Sequence, residues 1–298
     1  MDAAKLTRPT SLAEMRERFQ RFRTPEGTKR ALAFKPRPSD VFVATYPKSG
    51  TTWMQQIVHG LRTGGSMAFD EITEVVPWIE MGFDMGIDIE AEQFANPRAF
   101  KSHLNWEDLP KGGRNIYVIR DPKDVVVSFY NFMIGWYLEP GSVSFETFVN
   151  DQFCVGSRSG RYWEHVLSWW PTRGRDDCLL VAYEDLKETP RAQVMRVAEF
   201  IGLDASDETI DIATRQSGFE FMKAHEHQFD DHLVAQTRDE ICGIPPGGAS
   251  SKLGSGGVRP QLTSELNAKL DEIWTGTIGS ELGFADYSAL RGSLNTAS

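Results

Sequence analysis

The sequence predicts a single α/β domain with a central parallel β-sheet flanked by helices, and three observations carry that prediction. Apolar runs at 40–45 (DVFVAT), 114–120 (RNIYVIR) and 178–183 (CLLVAY) have the length of buried strands. Each is followed by a loop and then by a segment of helical character, and strands that alternate with helices imply a parallel sheet. The 298 residues can bury a sizeable core, and 40% hydrophobic with 25% charged residues is ordinary globular usage.

The first run passes through YPKSGTT (46–52) into WMQQIVHGLR (53–62), whose apolar residues suit a helix. The second leads into DPKDVVVSFYNFM (121–133), where Asp121 can cap a helix and Pro122 can occupy its first turn. The third precedes YEDLKETP (183–190) and an amphipathic helix over 191–203 that Gly202 ends. Right-handed crossovers follow, and ligands of such open sheets bind beyond the carboxyl ends of the strands, where Thr45, Arg120 and Tyr183 fall. Residues 1–34 read as a helical extension of the same domain, 35–287 as the domain proper and 288–298 as a tail frayed beyond Tyr287. The segments 78–100 and 243–257 read as functional or mobile loops.

Composition excludes several functions. Thirty-two Lys+Arg against 42 Asp+Glu leave a formal charge of -10, which repels a polyanion and argues against nucleic acid as the main partner. Cys154, Cys178 and Cys242 are odd in number and widely spaced, so neither a disulfide framework nor a CxxC metal knuckle is expected, and a reducing compartment fits. The N-terminus has no uninterrupted apolar stretch, which argues against a signal peptide and a membrane anchor and for a cytoplasmic protein.

A loop of small residues between a strand and a helix offers backbone N–H groups and the positive helix end to an anion. Lys48, Ser49, Gly50, Thr51 and Thr52 suit a phosphate, although any strand-to-helix turn favours such residues. The lysine precedes the glycine, so the GK[ST] triplet that an ATP-dependent phosphotransferase needs is missing.

YPKSGTTW (46–53) resembles the 5′-phosphosulfate loop of the cytosolic sulfotransferases, and RNIYVIRDPKDVVVSFYNF (114–132) resembles their 3′-phosphate motif. FKSHLNW (100–106) is similar to the family's KTHLP segment, and YEDLKETP with SGFEFMK (217–223) extends the likeness over about 35–275. The resemblance implies a P-loop-NTPase-like sulfotransferase fold. It also implies a donor, 3′-phosphoadenosine 5′-phosphosulfate (PAPS), and its product PAP, with transfer to a hydroxyl or amine of a small-molecule acceptor and no metal.

Within that likeness, Lys48 matches the lysine that neutralises charge growing on the leaving phosphate oxygen, with Ser128 restraining it. His103 is the candidate general base, because an imidazole titrating near neutrality suits proton removal from a hydroxyl. Lys101 points the same way as His103 if the segment is extended, and can stabilise the transferring group. Thr51 and Thr52 would hold the 5′-phosphate, and Arg120 with Ser128 the 3′-phosphate, although an ion pair of Arg120 with Asp121 or Asp124 is the plainer reading. Trp53, Tyr183 and Phe219, with Ser217 nearby, match the family's contacts to the base.

SSKLGSGGVR (250–259) keeps Lys252 and the glycines of the final phosphate segment, Gly254 among them, but lacks its neighbouring arginine. The family's dimer motif is degraded at Ser264 and Ala268, which leaves the oligomeric state open. HEHQFDDH (225–232) holds possible metal ligands at a spacing one residue too long for an HxHxDH motif, and reads as a polar lid. An apolar acceptor pocket is expected from Trp78, Met81, Phe83, Met85, Phe94, Trp136 and Tyr137, and Asp84, Asp88 and Glu90 leave room for a cationic acceptor.

Overall fold

Val41–Thr45 (β1), Ala99–Ser102 (β2), Arg114–Ile119 (β3) and Cys178–Ala182 (β4) pair in parallel in the order β2-β1-β3-β4. The computed structural model describes residues 6–156, 160–247 and 260–294. Register places Val43 beside Lys101 and Ile116, and Val118 beside Thr45 and Val181. The carboxyl ends of all four strands therefore reach one edge of the sheet.

Strand side chains alternate between faces, and each face meets a separate layer of helices. Phe42, Ala44, Phe100, Tyr117, Ile119 and Leu180 pack on one side with the N-terminal residues and the helix Pro122–Trp136. Val41, Val43, Ala99, Ile116, Val118 and Val181 pack on the other with Thr51–Thr63 and Pro190–Phe200. Two-sided burial explains why these strands read as continuous apolar runs.

The N-terminal segment forms α1 (Leu12–Phe19), capped by Ser11, and α2 (Pro25–Ala33), capped by Thr24. Thr51–Thr63 is α3, and Asp121 caps Pro122–Trp136 by accepting from the Lys123 N–H at 2.8 Å, as its sequence predicts. Asp40 lies just outside β1 and is wholly buried against Arg98 through two hydrogen bonds of 2.9 and 2.6 Å.

The chain beyond Tyr287 departs from the frayed tail its polarity suggests. Residues Tyr287–Leu294 form a helix that buries Leu290 and Leu294, and Arg291 donates to Asp185 at 2.8 Å. Those partners lie about a hundred residues away, so local composition carries no trace of them.

Candidate active site

The site forms where β1, β2 and β3 end. The turn Tyr46–Gly50 carries the chain into α3, and Lys48 (φ 71°) and Gly50 (φ 108°) have left-handed backbone there. Gly50 is demanded twice: a side chain rarely adopts that φ, and an added Cβ would meet Cδ2 of Tyr183 at 2.8 Å. No side chain caps α3 at Gly50. The helix thus leaves first-turn N–H groups and its positive end to the cavity that Thr51 and Thr52 line.

His103 follows β2 directly. Its Nδ1–H donates to the Thr45 carbonyl at 2.8 Å, with Thr45 Oγ1 3.4 Å from the same nitrogen. A carbonyl only accepts, so the proton sits on Nδ1 and the lone pair on Nε2. The His103 backbone N–H donates to Glu80 Oε1 at 2.7 Å, and Trp78 packs edge-on with ring centres 5.2 Å apart. Burial, followed by the charge of Lys101, holds the imidazole well below its ordinary value of 6.5 and outweighs the Thr45 hydrogen bond. His103 is therefore neutral at pH 7.

Lys101 lines the same cavity, as alternation along an extended segment predicts. Its ammonium lies 4.4 Å from the Trp78 ring centre and 3.9 Å from Asp231 Oδ1. Lys48 Nζ lies 4.2 Å over Phe132, one turn beyond Ser128 on the helix Pro122–Trp136, and Ser128 also lines the cavity.

Arg120 connects the loop to an aromatic wall. It donates to the Lys48 carbonyl at 3.1 Å and stacks over Tyr183 at 4.2 Å. The plainer ion pair is present too, with Asp124 Oδ2 at 3.9 Å. Arg120 Nε nevertheless stays buried without a hydrogen-bond partner among the described residues, as do Trp53 Nε1 and Ser49 Oγ. Trp53 meets Tyr183 edge-on at 5.1 Å. Ser217 ends the helix Asp207–Gln216, and Phe219, 58% exposed, begins the next.

Lys48, Gly50, Thr51, Thr52, Trp53, Lys101, His103, Arg120, Ser128, Tyr183, Ser217 and Phe219 line one cavity of about 960 Å³, whereas the Ser49 side chain is wholly buried behind it. Contacts divide it into a polar half around Arg120, Trp53 and Tyr183 and an apolar half in which Phe19, Phe22, Trp78 and Tyr137 touch one another. Lys48 and His103 contact both halves: Lys48 meets Phe132 on one side and Arg120 on the other, and His103 meets Trp78 on one side and, through Thr45, Thr51 on the other. Orphaned donors, an uncapped helix start and a glycine that makes room together fit a phosphorylated nucleotide in the polar half.

Of the expected acceptor residues, Trp78, Trp136 and Tyr137 line the cavity. Met81 lies in the core, Met85 packs against that core, Phe83 is under Arg30 at the surface, and Phe94 is exposed. The aperiodic segment 78–100 gives no signal that separates these from Trp78. Asp84 accepts from the Thr24 N–H at 2.9 Å and its hydroxyl at 2.7 Å, Asp88 and Glu90 are exposed, and none of the three lines the cavity, so the cationic-acceptor reading finds no support in them. Asp231 is the carboxylate that lines the cavity instead. Lys252 and Gly254 lie outside the described residues.

Sequence reasoning missed Met15, Phe19 and Phe22, through which the N-terminal segment walls the apolar half. Leu12, Met15, Phe19 and Phe22 recur at helical spacing, a signal that was available. The polar stretch 225–232 is not a lid throughout: Asp231 faces the cavity, whereas His227 and His232 contact Asp70.

A family model described as the sulfotransferase domain matches residues 38–281, and the chain belongs to that family. It is 35% identical to dog sulfotransferase 1B1 over 69% of this chain and 73% of the relative, and 37% identical to bovine sulfotransferase 1E1 over 64% and 68%. The fold is similar to that of mouse sulfotransferase SULT7A1 complexed with PAP (TM-score 0.66, 22% identity, 93% and 95% covered). It is also similar to retinol dehydratase in complex with androsterone and PAP (TM-score 0.64, 23% identity, 84% of each chain). The enzyme class is thus a sulfotransferase.

Proposed function

We propose that this sulfotransferase moves a sulfuryl group from PAPS to the hydroxyl of an apolar small molecule, with His103 as general base and Lys48 stabilising the departing phosphate. The observation that carries the reading is the placement of His103 and Lys48 between a donor-rich, phosphate-suited half-cavity and an aromatic one. When bound, PAPS supplies the electrophilic sulfur and a phosphate leaving group.

The chain's own residues do the rest. Thr51, Thr52 and the start of α3 bind the 5′ end, while Arg120 and Ser128 bind the 3′-phosphate. Trp53, Tyr183, Ser217 and Phe219 offer the base an aromatic and hydroxyl-bearing wall. The Nε2 lone pair of His103 takes the acceptor proton, and the Thr45 carbonyl steadies the imidazolium that results. Lys48, set by its left-handed backbone and by Arg120, presents positive charge where negative charge grows. Lys101 lies close enough to His103 to favour its neutral form and to add charge to the site. Three cysteines, none in a disulfide, support a reducing, cytoplasmic setting, and among the described residues no helix is long and apolar enough to cross a membrane.

Thermal unfolding with PAP beside ADP, with and without Mg²⁺, tests the donor. A ligand at a hundred times its Kd adds about 2.7 kcal/mol, which raises the midpoint by several degrees. Stabilisation by PAP without metal is expected, and a preference for ADP with Mg²⁺ would overturn the reading.

A further inference from the structure

Outside the catalytic cavity, two chain segments bring two imidazoles and a carboxylate together. His227 and His232 stack face to face with ring centres 4.3 Å apart and planes within 2°. Asp70, 162 residues before His232, places Oδ2 3.0 Å from His232 Nε2 and Oδ1 3.7 Å from His227 Nε2. One ligand atom from each of the three residues lies within 4.8 Å of the others.

A second feature separates this group from an incidental ion pair. The two oxygens of Asp230 divide between the rings: Oδ1 meets His232 Nδ1 at 2.7 Å and Oδ2 meets His227 Nδ1 at 3.3 Å. Oδ1 also accepts from the His232 N–H at 3.0 Å, which fixes the carboxylate to the start of its helix. Both Nδ1 atoms are thereby occupied, and both Nε2 atoms turn toward Asp70. That is how an outer carboxylate orients histidines for a metal. Gln228 holds the two segments together by donating to the Met67 and Phe69 carbonyls at 3.0 and 2.6 Å.

We propose that Asp70, His227 and His232 bind a divalent transition-metal ion of the Zn²⁺ class, with Asp230 orienting both imidazoles. Bond lengths of about 2.0–2.1 Å in a tetrahedral site put neighbouring ligand atoms about 3.3 Å apart. The contacts to Asp70, 3.0 Å from one oxygen and 3.7 Å from the other, lie on either side of that edge, so binding requires one carboxylate oxygen to turn toward both nitrogens and one of the parallel rings to tilt toward the ion. Three protein ligands leave a fourth position to water. The site is separate from sulfuryl transfer, yet it abuts it: Asp231, between the orienting Asp230 and the ligand His232, lines the cavity and faces Lys101. A bound ion would tie the segment 225–232 to residues near Asp70 and restrain that wall.

The test is a ZnCl₂ titration of the full, tag-free chain after chelator stripping, read by competition with a chromogenic chelator. One equivalent bound in the micromolar range or tighter is expected. His227→Ala should weaken it strongly, and Asp230→Asn by about tenfold or more, as removal of an orienting carboxylate does. His227 is 70% exposed on its side chain, so the metal-free variant should unfold at the wild-type midpoint. Cobalt substitution separates this site from the cysteines, because a thiolate charge-transfer band would betray sulfur ligands. Binding weaker than about 0.1 mM, a thiolate band, or affinity unchanged in His227→Ala would each overturn the proposal.

Discussion

Replacing His103 with Ala removes the one imidazole among the described residues that lines the cavity, and the size of the loss follows from its surroundings. The Thr45 carbonyl occupies Nδ1, so base strength resides wholly at Nε2. Asp231 is a poor substitute, since Lys101 faces its carboxylate at 3.9 Å. A positioned general base is worth about 10²–10⁴ in rate, or about 2.7–5.5 kcal/mol of barrier. The turnover number should fall by that factor, while stabilisation by PAP persists because the polar half of the cavity is untouched. Burial disfavours the charged imidazole, so in wild type the rate should be flat above the ordinary value of 6.5 and decline only at more acid pH. Initial rates with labelled PAPS and a phenol or alcohol acceptor across pH, beside PAP thermal shifts, measure both quantities. A variant that keeps turnover within about tenfold of wild type, or retains the acid limb unchanged, refutes the assignment.

Two further substitutions probe the scaffold. Gly50→Ala forces a side chain into left-handed backbone at about 1–2 kcal/mol and against the Tyr183 ring, so PAP affinity measured by calorimetry should fall about tenfold or more; unchanged affinity would mean that the loop does not need this shape. Asp40→Asn breaks a fully buried pair with Arg98 and should cost about 3–5 kcal/mol in urea unfolding, and a loss below about 1 kcal/mol would place that pair's importance elsewhere.

Much of the polar half of the cavity was legible in the sequence. Lys48, Thr51 and Thr52 follow a strand and lead into a helix, an order that suits an anion but that any strand-to-helix turn shares, so the family likeness carried the expectation. Arg120 and Ser128 are similarly fixed by the strand and helix that carry them. The apolar half was less legible. Trp78 and Met81 lie three residues apart in the same aperiodic segment, yet one lines the cavity and the other is core.

What the sequence by itself determined is therefore local: alternating strands and helices, the strand-to-helix turn with its lysine, and the family likeness that singled out His103. These depend on residues close together in the chain, where propensity, capping and strand alternation act directly. The tertiary structure alone decided the company that each group keeps. It brought Thr45 to His103, placed α1 and the residues after it as a wall of the cavity's apolar half, spent Asp84 on Thr24, and joined Asp70 to His227 and His232. Such pairings depend on how packed layers bring distant segments together, and no periodicity along the chain encodes them.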